Sequence, residues 1–101
     1  MSRVVTRSIT AQNQFTDAIR LTGLFDLSVA GTFAATVTIQ RSYDNATWRD
    51  VDVFTSEVEM TGTQGEMAWY RAGVKTGEFT SASDLIVTIA GNSGIDYTPT
   101  R

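Results

Sequence analysis

The sequence predicts an all-β fold, an antiparallel β-sandwich of about seven short strands. Three observations carry this. Thr, Val, Ser and aromatic residues dominate, and Gly or Asn/Asp clusters recur at short intervals. Several segments alternate strictly between apolar and polar residues. Helical periodicity is nearly absent.

In chain order, Val4 to Thr10 gives a weak strand signal, followed by a polar stretch from Ala11 to Thr16. From Gly23 to Ala30, Phe25, Leu27 and Val29 share one face while Asp26 and Ser28 share the other. After Gly31 the alternation is cleanest: Phe33, Ala35, Val37 and Ile39 face the expected core, and Thr36, Thr38 and Gln40 face away. Tyr43-Asp44-Asn45-Ala46 reads as a turn, because Asp and Asn tolerate left-handed backbone and bond their own main chain. A strand from Thr47 to about Phe54 completes a hairpin over 32–54.

That strand holds a parity conflict. Val51 and Val53 lie on one face and Trp48 on the other, so a regular strand cannot bury all three. Either Trp48 packs at the turn end, or a bulge near Arg49 and Asp50 shifts the register. Glu57 to Met60 follows as a short strand with Val58 and Met60 inward, and Gly62 to Gly65 reads as a loop. Met67 to Val74 is a strand with Tyr70, Ala72 and Val74 inward. Lys75-Thr76-Gly77 is a turn, and Asp84 to Ala90 is the last strand, with Leu85, Val87 and Ile89 inward. Short strands joined by tight turns suit an immunoglobulin-like or jelly-roll-like sandwich. The expected organisation is an N-terminal arm or edge strand over 1–22, the sandwich over 23–90, and a tail over 91–101.

Composition limits the chemistry. At 101 residues and 42% hydrophobic content, one domain can form a core without staples. Cysteine and histidine are both absent, which removes the commonest general base, the thiol nucleophile and most transition-metal ligands. Asp44, Asp50 and Asp52 cluster near one hairpin end. A carboxylate-only glycosidase pair remains chemically possible there, whereas no loop has the spacing or central glycine of an EF-hand for calcium; the three read as solvated turn residues. Asn45-Ala46-Thr47 matches a glycosylation sequon, read here as turn composition. The expectation is a non-enzyme without cofactor or metal.

Net charge is −3, with the Lys and Arg residues scattered singly. This argues against nucleic acid and against an anionic membrane as partners, since both need a basic stripe. The apolar runs are far short of the roughly 20 residues that span a bilayer. The opening MSRVVTRSITAQ has no apolar run of the secretory kind.

Binding residues are sought on outward faces. On the strand of Tyr70 and Ala72, parity turns Met67, Trp69 and Arg71 outward, a row rich in the residue types enriched at protein interfaces. Trp48, Trp69 and Tyr70 also offer flat rings of the kind that stack on sugars.

The stretch GTFAATVTIQRSYDNATWRDV (Gly31 to Val51), followed by YRAGVKTGEFTSASDLIVTI (Tyr70 to Ile89), resembles small virion-associated proteins of tailed bacteriophages. In those chains a strand ending in an "IQRS" type run leads through an Asp-rich turn to Trp, and a "YRAGV" strand precedes a Gly-containing turn and the last strand. Such proteins often carry Gly after the turn Asp, where this chain has Asn45 and Ala46. The resemblance covers roughly residues 23–90. It implies a virion structural part assembled in the bacterial host cytoplasm, such as a capsid decoration protein, a fibre base or a tail component. Its implied partners are the major capsid protein or another virion protein, and further copies of itself. The alternative is a carbohydrate-binding module.

Overall fold

The computed structural model describes residues 2–92, and all of its regular structure is strand. Among the described residues nine strands occur: β1 (Ser2–Ile9), β2 (Gln14–Phe15), β3 (Ile19–Ala30), β4 (Phe33–Ala35), β5 (Val37–Ser42), β6 (Arg49–Phe54), β7 (Val58–Val74), β8 (Phe79–Ala82) and β9 (Leu85–Asn92). Seven form one antiparallel sheet in the order β1-β9-β3-β7-β5-β6, with β2 added beside β7. β4 and β8 make a separate ribbon.

The sandwich is built around two long strands. β3 and β7 pair along most of their lengths, but between Leu21 and Gly23 the register jumps: Leu21 opposes Ala68 and Gly23 opposes Gln64. Two steps along β3 match four along β7, so β7 bulges and the sheet bends there. One end of the β3–β7 pair carries β9 and β1, and the other carries β5, β6 and β2. The apolar faces of the two ends meet in one core. Leu27, Val29, Leu85, Val87, Ile89 and Ile9 contribute from the first end, and Ile19, Leu21, Val37, Ile39, Tyr70 and Val74 from the second. Phe25 leans on Tyr70 at the bend, with ring centroids 4.9 Å apart.

Several elements differ from the sequence reading. The expected loop at Gly62 to Gly65 is the middle of β7, because Gly62 and Gln64 pair with Phe25 and Gly23 and stay extended. The single strand expected from Phe33 to Ile39 breaks at Thr36. Phe33 and Ala35 pair with β8, while Val37 and Ile39 enter the main sheet. Phe33 is accordingly only half-buried. Met60 was expected inward but lies at the rim and is exposed, since no strand covers that side of β7 at its position.

The N-terminal residues belong to the sheet. β1 is an edge strand paired with β9 along its whole length, with Ile9 fully buried. The expected boundary at 22–23 falls inside β3. The stretch from Ala11 to Thr16 is polar because it docks by hydrogen bonds. Asn13 N donates to Val74 O at 2.7 Å, Thr16 N donates to Ala72 O at 2.8 Å, and Ala72 N donates to Thr16 Oγ1. This close approach requires Gly73, where a Cβ would lie 2.0 Å from the Gln14 carbonyl oxygen. Of the expected tail, Gly91 and Asn92 complete β9, and 93–101 lie outside the described residues.

Candidate interaction surface

β7 positions the outward row that parity singled out. Ala68, Tyr70 and Ala72 are buried in the core, and Met67, Trp69 and Arg71 alternate with them on the opposite face, each half-buried. The structure brings the three into one strip, and each has side-chain neighbours from other strands. Arg20, from the neighbouring β3, donates from Nε to Met67 Sδ at 3.4 Å and lies over the Trp69 ring at 5.4 Å.

Arg71 is held more firmly. At Gly73, β2 takes one flank of β7 and β5 takes the other. Phe15 therefore reaches Arg71 from the β2 side and Trp48 from the β5–β6 side. The guanidinium carbon lies 4.6 Å from the Phe15 ring centroid and 4.4 Å from that of Trp48. Cation–π attraction strengthens where water is partly excluded, so the two rings fix the plane of the guanidinium.

A chain of polar contacts fixes its remaining freedom. Arg71 Nε donates to Gln40 Oε1 at 2.8 Å, and Gln40 Nε2 donates to Asp50 Oδ1 at 2.9 Å. Asp50 Oδ2 in turn accepts from Lys75 Nζ at 2.6 Å. Gln40 is buried, and its amide satisfies a donor on one side and an acceptor on the other, so flipping it would lose both. The Lys75 contact, followed by that of Gln40, holds the Asp50 carboxyl below its ordinary value, and Asp50 in turn raises Lys75. The ion pair is solvent-exposed and adds little stability by itself.

The three aspartates have separate jobs. Asp44 organises the hairpin turn: its Oδ1 accepts from Ala46 N at 2.9 Å, Thr47 N at 2.7 Å and Ser42 Oγ at 2.8 Å, with Asn45 at φ 59°. These donors, the Thr47 amide first, hold its carboxyl well below the usual carboxylate range. Asp52 accepts from the amide of Val53. Among the described residues no group of three or more His, Cys, Asp or Glu side chains gathers as a metal site.

Asp44 sets a pH dependence. Its folded pKa is depressed, so its contribution is present above the unfolded value of 3.8 and is lost as pH falls towards the folded one. The urea midpoint should drop as pH goes below 3.8. Asp44→Ala should begin at a lower midpoint and show a shallower decline. Parallel acid limbs in the two proteins would show that the turn amides do not hold the carboxylate in solution.

Sequence reasoning located Met67, Trp69 and Arg71 and offered Trp48 only as a sugar-stacking ring, but missed Phe15, Arg20 and Gln40 around them. The parity conflict at Trp48 was the one available signal. A bulge at Val51 resolves it: Ile39 opposes Asp52 while Gln40 opposes Asp50. Trp48 joins the outward face, and Val51 and Val53 are exposed on an edge strand. Compared with protein-family models, with curated proteins and with solved structures, the chain matches none.

Proposed function

We propose that the chain is a non-enzymatic structural protein of a bacteriophage virion, a capsid decoration or head-associated part that self-associates and seats on the shell. The observation that carries this reading is the half-exposed Met67–Trp69–Arg71 row, locked in place by Arg20, Phe15, Trp48 and Gln40. An ordered aromatic and arginine surface loses little side-chain freedom on docking, which favours a stable contact. The resemblance of residues 31–51 and 70–89 to virion-associated proteins supplies the setting. A sugar-binding role would draw on the same rings, but Phe15 and Trp48 each present a face to Arg71 instead of to a ligand.

Sedimentation of the purified protein, alone and with tailed-phage heads lacking it, tests the reading. Trp69→Ala should retain the parental circular dichroism and weaken self-association or head binding by about 2–4 kcal/mol. Parental affinity in a folded variant would move the contact to another surface. Binding to a glycan array with no binding to heads would favour the carbohydrate module.

A further inference from the structure

Arg71, like Arg20 beside it, has no carboxylate partner among the described residues, but it lies over two aromatic rings where Arg20 lies over one. Lys75 has a carboxylate at 2.6 Å, and the charge of Glu78 acts on it as well. Arg71 is more buried than a solvated arginine, yet among the described residues no carboxylate lies within salt-bridge distance of it. Among the described residues its hydrogen bond runs from Nε to the neutral Gln40. The two Nη groups, the end of the fork that matches a carboxylate, have no hydrogen-bond partner among the described residues. A groove of about 490 Å³ opens beside this site, lined by Asn13, Phe15, Arg71, Lys75, Thr76 and Glu78.

A half-buried guanidinium loses hydration without gaining a counter-charge, and the protein keeps it so by clamping it between two rings. That arrangement favours a ligand able to supply two acceptor oxygens in one plane. A lysine there would carry the charge but not the fork, and a mobile arginine would spend ordering entropy on each contact.

We propose that Arg71 is the anchor of the docking surface and takes the side-chain carboxylate of an acidic segment on the partner protein, end-on through its two Nη groups. Phe15 and Trp48 act as positioning residues that hold the fork plane, and Gln40 keeps Nε out of the contact. The inference rests on the docking role proposed above for this face. Glu78 lies in the groove with Lys75, so the acidic segment is held at its Arg71 end and is not drawn across the whole groove.

The test uses the full chain and a hexaglutamate peptide, with hexaglutamine as the control, followed by NMR of the arginine Nε–H and tryptophan indole signals. Hexaglutamate should shift the Arg71 and Trp48 signals saturably, with a dissociation constant on the order of millimolar. Arg71→Lys, which keeps the charge, should weaken binding about tenfold, the worth of a lost charge-assisted hydrogen bond. Equal shifts with hexaglutamine would overturn the proposal. So would shifts centred on Arg20 or Arg49, or an Arg71→Lys variant binding within twofold of the parent. The parental titration stands even if a variant misfolds. It also needs no phage particle: binding of the parental protein to heads judges the virion reading, and the peptide shifts judge the carboxylate site.

Discussion

Gly31→Ala should destabilise the protein by on the order of 3–5 kcal/mol, a large share of a small domain's total stability. Gly31 sits at the end of β3 with φ +116°, a conformation that side-chain-bearing residues rarely adopt. A Cβ built there would lie 1.9 Å from the Asp84 carbonyl oxygen and 2.6 Å from its carbon. Both obstacles are main chain, so no rotamer change relieves them. The site is also a junction. Gly31 N donates to Glu57 Oε2 at 2.8 Å, and Ser83 N donates to Thr32 O at 2.8 Å, which ties the turn after β3 to the turn before β9. Asp84 itself has φ 121° and cannot absorb the displacement cheaply. Urea denaturation of the variant measures the effect. A loss under about 1 kcal/mol would mean that the two turns separate freely.

Ile39→Ala should cost about 2–5 kcal/mol, from lost transfer energy and the cavity left behind. Ile39 is 4% exposed in a central strand, flanked by β6 on one side and β7 on the other. Val53→Ala is the matched control one strand away. Val53 is 53% exposed, so its truncation should stay within about 0.5 kcal/mol. A loss under about 0.5 kcal/mol for Ile39, or a larger loss for Val53, would show that β5 and β6 are out of register.

The core was legible wherever apolar residues alternate along a strand, even in β5, where Thr38 and Gln40 on the opposite face are buried as well. Leu27 and Val29, Val37 and Ile39, Tyr70 to Val74, and Leu85 to Ile89 all lie inward as their alternation indicates. The reading failed where a distant partner overrides local composition. Gly62 to Gly65 has turn-like residues but is kept extended by pairing with β3. Gln14 and Phe15 carry no strand pattern and become β2 because Gly73 leaves room for their backbone. The outward row at Met67, Trp69 and Arg71 was legible from the parity of one strand. The clamp around Arg71 was not, because Phe15, Gln40 and Trp48 reach it from three other parts of the chain. The bulge at Val51 that turns Trp48 outward leaves only a parity conflict as its trace.

The pairing of β1 with β9 sets the order in which this chain can assemble. Among the described residues, 2–9 pair with 85–92, so the segment up to Asn92 must leave the ribosome before that edge can close. Until then Val5 and Ile9 have no strand to cover them, and the β9 side of β3 is an open template for a neighbouring chain. The first and last strands must find each other across a long loop, so folding will be slow for a domain of this size. During that interval the emerging polypeptide is most prone to clump with its sister copies.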